Sequence, residues 1–350
     1  MLTEAASRAL ALEHALHQRA DEGVVAAELA RDLHDYRAAC ERLVVARFAD
    51  QAADAEARLW AAHVRINTLF RHELKRLRRA KDRVVETRKA HAHYLHFLKA
   101  SQRFYRHHVL LLDAHCDGIP ALRRIARTWK DDVALPAPEP ARIPAACHDQ
   151  VLLSCHHTLI RLGDLSRYRE TELVGKDQPR NWGPAKGYYG LAAELCPDAG
   201  HAQNQLAVIA REDGDHFRAV YHLYRSLASK LPYPQAQANL ELEFKRVIAA
   251  WDKGQLISTH TPGDGSPAGR ALIAWFVRLH SRIYKGDEFA AHDELEGEVL
   301  SHLAIELKER PLDAILTKIL LINLAAEYLA TVQMQSMLPA IRAPTAPSWR

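Results

Sequence analysis

Residues 185–240 read AKGYYGLAAELCPDAGHAQNQLAVIAREDGDHFRAVYHLYRSLASKLPYPQAQANL, and they repeat on themselves. Shifted by 35 residues, Tyr189 falls on Tyr224, Ala193 on Ala228, Pro197 on Pro232 and Asn204 on Asn239, with Val220 a looser match for Ala185. An aromatic residue followed eight positions later by a helix-ending proline describes a two-helix unit that recurs along the chain. The Gly-Asp pairs extend the pattern. Gly163-Asp164 and Gly214-Asp215 lie 51 apart, a spacing of 35 plus an excess of 16, most of which the polar insert TELVGKDQPRNWGP at 171–184 supplies.

A period near ~34 residues is that of tetratricopeptide hairpins, which the spacing places from about 150 to 248. Outward from there the rest of the chain also reads as helix. No proline precedes Pro120, and Gly23 and Gly118 are the only glycines before it. Ala, Leu, Arg and Glu dominate, all strong helix formers. Apolar residues recur at helical spacing as Ile66, Phe70, Leu74, Leu77 and again as Tyr94, Leu98, Tyr105, Val109, Leu112. The first 115 residues therefore predict several long antiparallel helices. A proline-rich connection follows, through Pro120, Pro136, Pro138, Pro140 and Pro144, with one short helix near 120–130. The segment THTPGDGSPAG at 259–269 reads as part of a linker. Beyond it three helical patterns run over roughly 270–285, 288–308 and 311–337. The expected organisation is thus all-α: a domain over 1–250 that includes the tetratricopeptide-like hairpins, a linker over 251–269, an incomplete helical-hairpin domain over 270–338 and a proline-rich tail over 339–350.

The 350 residues carry 47 Lys+Arg against 43 Asp+Glu, a net charge of +4, too weak for a dedicated nucleic-acid protein. The positive charge is local. Between Arg71 and Lys89 nine basic residues (Arg71, Lys75, Arg76, Arg78, Arg79, Lys81, Arg83, Arg88, Lys89) face only Glu73, Asp82 and Glu86. The five cysteines are odd in number with no C-x-x-C, and no signal-peptide core opens the chain, which together predict a reducing compartment, cytoplasmic or nuclear. The longest uncharged apolar run, Ile319 to Ala326, stops at Glu327, so no membrane partner is expected.

Two groups of residues can hold an anion. On a helical wheel Arg65, His72, Arg76, Arg79 and Arg83 share one stripe beside the apolar stripe of Ile66 to Leu77. Such a face suits a phosphate, an RNA backbone or an acidic peptide, and it equally suits a solvated face paired with nearby acids. In RLGDLSRYRE at 161–170, Gly163 costs a helix about 1 kcal/mol relative to Ala, which predicts close backbone packing there. Asp164 and Arg167 are i,i+3 neighbours, so the carboxylate can orient the guanidinium beside the Tyr168 hydroxyl. A packing arginine with its own salt bridge would read the same way. No metal or cofactor is expected. Cys147-His148 and Cys155-His156-His157 lie about 80° off a common helix face, and H-E-x-x-H, P-loop, nucleophile-elbow and dinucleotide motifs are missing. Catalysis is not expected.

LWAAHVRINTLF (59–70), FYRHHVLLL (104–112), HTLIRLGDLSRYRE (157–170) and the 185–240 block together resemble the SMG/ever-shorter-telomeres proteins, adaptors of nonsense-mediated mRNA decay and telomerase-associated subunits. The likeness is strongest over 163–240, looser from about 45 to 250, and fades beyond the linker. It implies a 14-3-3-like antiparallel helical domain completed by tetratricopeptide-like hairpins and followed by stacked helical hairpins. It also implies a phosphoserine site. The Arg-Tyr pair after Gly-Asp matches Arg167 and Tyr168, the basic residue of the early helix matches Arg65, and the peptide-contacting asparagine matches Asn204. Decay adaptors usually carry Lys where Arg65 stands. The second early arginine of 14-3-3 proteins corresponds to His72, with Arg71 or Arg76 as its substitute. The expected function is a non-enzymatic phosphoserine/phosphothreonine adaptor for the phosphorylated up-frameshift RNA helicase. The alternative is a telomerase or telomere subunit binding RNA or single-stranded DNA through Arg76, Arg79 and Arg83. A hetero- or homodimer through the 14-3-3-like domain is a further expectation.

Overall fold

The structure is a computed structural model that describes residues 2–80, 82–129, 143–175, 177–257, 267–284, 286, 290–309 and 314–342. Lys81, Pro136, Pro138, Pro140, the core of the expected linker and the last part of the expected tail lie outside the described residues. Every regular element among the described residues is helical, and the one β feature is an isolated parallel bridge between Ala199 and Leu231. The chain divides into two compact units, Met1–Cys196 and Pro197–Arg350.

The first unit contains α1 (Leu2–Asp21), α2 (Ala26–Ala46), α3 (Phe48–Arg79), α4 (Val84–His115), α5 (Pro120–Arg127), α6 (His148–Leu173) and α7 (Gly183–Leu195). The two apolar stripes read from the sequence face each other: Ile66, Phe70, Leu74 and Leu77 of α3 and Tyr94, Leu98, Tyr105, Val109 and Leu112 of α4 are all buried. The Phe70 and Tyr94 rings stack at 5.2 Å, and the Tyr94 hydroxyl donates to Asn67 Oδ1 at 2.6 Å, so packing and a buried hydrogen bond close this part of the hairpin seam.

Deeper in the same unit lies a polar network that the sequence pattern concealed. Arg37 donates to His63 Nε2 and to Ser101 Oγ, while Glu56 accepts from Ser154 and His108 and lies 3.7 Å from Arg161. Burial and the Arg37 charge hold the His63 pKa well below its usual value. Its Nδ1 lies 2.9 Å from the Leu59 carbonyl, which fixes the neutral ring with its proton on Nδ1.

The second unit contains α8 (His201–Glu212), α9 (His216–Leu227), α10 (Ala236–Asp252), α11 (Pro267–Ile283), α12 (His292–Glu309) and α13 (Ala314–Arg342). Its core joins Phe217, Val220, Leu223 and Tyr224 of α9 to Leu240, Phe244 and Val247 of α10, Leu272 and Phe276 of α11, and Ile319 and Ile322 of α13. The sequence reading placed a helix over 311–337, where α13 lies, but missed how continuously apolar it is. Ile315–Met337 is long and apolar enough, by length and composition, to cross a membrane, because a helix carries its apolar character through Lys318 and Glu327 where an uncharged run ends. Its inner stripe packs into the core just described, while Leu320, Leu324 and Tyr328 are exposed.

Candidate anion-binding site

Gly163 sets the site. The Tyr189 ring of α7 lies directly on the α6 backbone there, and a Cβ at this position would stand 2.6 Å from Tyr189 Cδ1. The close approach lets the Tyr189 hydroxyl donate to Asp164 Oδ1 at 2.7 Å. Asp164 in turn accepts from Arg167 Nη2 at 2.9 Å, and Arg167 Nε reaches the Tyr189 oxygen at 3.4 Å. Burial alone would lower the Arg167 pKa, but the Asp164 carboxylate and the Tyr189 and Tyr168 oxygens outweigh it and raise the pKa above the ordinary arginine value. The guanidinium also lies over the Tyr168 ring, 4.8 Å from its centre. Arg167 is thus a permanent cation in one orientation, with 16% of its side chain still open to solvent.

The register of α3 against α6 decides what faces Arg167. Ser154 bonds Glu56 at a separation of 98 residues, Arg161 covers Trp60, and Glu172 bonds Arg71 at a separation of 101. The two helices therefore run in the same direction, and these offsets place Arg167 level with the stretch from Ile66 to Leu69 on α3, between Arg65 and Arg71.

Arg71 is the α3 cation whose approach is directly visible. Its Nε bonds Glu172 at 2.6 Å, and its charge works, with that of Arg167, to lower the Tyr168 pKa against the larger rise caused by burial and Asp164. Arg78 donates to the Glu172 carbonyl at 2.5 Å. Arg65 points to the other flank of α3, where it bonds Asp21 at 2.5 Å and His17 Nδ1 at 2.7 Å, both on α1. About a third of the Arg65 side chain remains exposed.

His72 and Arg76 are exposed on the same stripe as Arg65, and with Lys75, Arg79 and Ala80 they line a shallow open depression. Arg83 lies 4.0 Å from Glu86. Asn204 belongs to the second unit. It is buried on α8 and accepts from Asn239 Nδ2 at 2.8 Å, so the two asparagines matched by the repeat bond each other. Among the described residues no group of three His, Cys, Asp or Glu side chains could hold a metal ion. His156 instead lies 2.9 Å from the Ala192 carbonyl, joining α6 to α7.

Sequence reasoning missed three participants. Asp21 and Glu172 occupy Arg65 and Arg71 from 44 and 101 residues away, and nothing local marks such partners. Tyr189 was visible only as the aromatic of the repeat, although it also orients Asp164.

An all-α chain with a 14-3-3-like antiparallel domain, tetratricopeptide-like hairpins and stacked helical hairpins is the class that the fold defines. Residues 54–173 match the family model described as telomerase activating protein Est1, and residues 185–340 match the one described as the Est1 DNA/RNA binding domain. The chain belongs to the SMG/ever-shorter-telomeres family. It is 48% identical over 92 residues to an Arabidopsis thaliana nonsense-mediated mRNA decay factor SMG7-like protein, covering 26% of this chain and 10% of that one. It is 31% identical over 130 residues to the Danio rerio decay factor SMG7, covering 37% of this chain and 9% of that one. The chain thus spans about a tenth of the length of these curated relatives. In the crystal structure of Est1 and Cdc13, a chain superposes with a TM-score of 0.70 at 12% identity, covering 92% of this chain and 64% of that one, a likeness of fold.

Proposed function

We propose that the protein is a non-enzymatic adaptor that binds phosphorylated serine or threonine, its partner being the phosphorylated up-frameshift RNA helicase of nonsense-mediated mRNA decay. The observation that carries this reading is Arg167, a fixed and permanently charged guanidinium at a height between Arg65 and Arg71 of the neighbouring helix. A phosphate dianion placed there gains charge-assisted hydrogen bonds of about 1.5–3 kcal/mol each, while the Tyr168 hydroxyl supplies a neutral donor. Asp21 and Glu172 act as resting partners that a more highly charged anion displaces from Arg65 and Arg71. The decay-factor relatives named above support the choice of pathway.

The test is calorimetric titration of phosphorylated and unmodified peptides against wild type and an Arg65→Glu/Arg167→Glu variant. Wild type is expected to prefer the phosphopeptide, and the variant to lose that preference. Equal affinities for the two peptides, or for the two proteins, would end the reading.

A second reading, nucleic-acid binding, is favoured by the match of 185–340 to a model described as a DNA/RNA binding domain. Single-stranded RNA or DNA should then bind with a steep loss on adding salt. A gel shift unchanged by reversing Arg76, Arg79 and Arg83 would remove those residues from it.

A further inference from the structure

The cations of α3 are not equivalent. Arg65 is held by Asp21, Arg71 and Arg78 converge on Glu172, and Arg83, just past the helix end, lies beside Glu86. Lys75, Arg76 and Arg79 make no hydrogen bond or ion pair among the described residues, and all three are exposed. With His72 they line one depression, and Glu73, the acid within this stretch, bonds none of them. The Glu172 carboxylate of α6 is already engaged by Arg71, while Arg78 takes the Glu172 backbone carbonyl. The protein therefore keeps several unneutralised positive charges on one helix face beside the proposed phosphate site.

The separation is set by the helix. Along the axis of α3, from the level of Thr68, opposite Arg167, to Arg76 and Arg79 is 8 to 11 residues, about 12–17 Å at a rise of ~1.5 Å per residue. An extended peptide covers that distance in about four or five residues. We infer that the ligand of this site carries a second phosphate about four or five residues from the first, and that Lys75, Arg76 and Arg79, with His72, receive it. This rests on the phosphopeptide reading above. A peptide fits the depression better than a nucleic acid because its lining offers no Phe, Tyr or Trp on which bases could stack, His72 carrying its only ring.

The experiment compares peptides with one phosphate and with two, spaced two, five or nine residues apart, on the 350-residue chain at about 0.1 M salt. The two-phosphate peptide of spacing five is expected to bind about tenfold more tightly than its one-phosphate form, and spacing two to show little gain. In a Lys75→Gln/Arg79→Gln variant, and in Arg79→Gln alone, the ratio of the two affinities falls toward one. Circular dichroism confirms that each variant is folded. A ratio of one in wild type, with the one-phosphate peptide still bound, overturns this inference and leaves the adaptor reading standing. No preference for any phosphopeptide overturns both. A single-stranded RNA oligomer that needs Lys75 and Arg79 while the peptide ratio stays at one assigns the depression to nucleic acid and overturns the inference.

Discussion

Gly163→Ala sets two effects of opposite sign against each other. Alanine favours a helix interior over glycine by about 1 kcal/mol, so propensity alone predicts stabilisation. The structure predicts the reverse. The new methyl would stand 2.6 Å from Tyr189 Cδ1, and Tyr189 is fully buried, so its ring has no space into which to retreat. Overpacking of this kind costs about 1–3 kcal/mol. Displacing the ring also weakens the hydrogen bond from Tyr189 to the Asp164 carboxylate, at about 1.5–3 kcal/mol for a charged acceptor. The net expectation is destabilisation of about 2 kcal/mol, read as a lower melting temperature by circular dichroism. In a Tyr189→Ala background the methyl meets no ring, so the same substitution should turn stabilising. A Gly163→Ala protein that melts above wild type would refute the close packing inferred at this position.

Glu56 is buried, and although burial pushes its carboxyl pKa up, His108, Arg161 and Ser154 bring it down from 4.5 to about 2. Its contribution to stability is therefore complete above pH 4.5 and lost as the pH falls toward 2. Glu56→Gln should cost about 3 kcal/mol at pH 7 and progressively less in acid, and urea unfolding at both ends checks this. The Glu41 carboxylate raises the His107 pKa above 6.5, against the effect of burial. That pair stabilises fully below pH 6.5 and stops doing so as the pH rises through the folded value, so His107→Gln should lower the melting temperature at about pH 5.5 but not at about pH 9. An equal loss at both would contradict it. Asp21→Asn should change stability by less than about 1 kcal/mol, because the pair is exposed, yet tighten phosphopeptide binding by freeing Arg65; calorimetry reads the second effect.

The fold was legible because its signals are local and periodic. The apolar stripes of α3 and α4 marked the faces that the fold buries, the 35-residue shift found α7 to α10, and Gly163 announced a close approach before its partner was known. Long-range pairing was not legible. Nothing near Arg65 points to Asp21 or His17, and nothing near Arg71 points to Glu172, since charge partners follow from packing rather than from spacing. The network of Arg37, His63, Glu56 and Arg161 was hidden for the same reason: its polar members occupy positions on otherwise apolar faces.

Whether cations from two helices grip one phosphate can be asked by a double-mutant cycle. Affinity for a one-phosphate peptide is measured for wild type, Arg65→Ala, Arg167→Ala and the double variant. Residues that share a ligand group couple, and an interaction energy of about 1 kcal/mol or more is expected. Losses that simply add, to within about 0.5 kcal/mol, would show that the two guanidinium groups serve different ends.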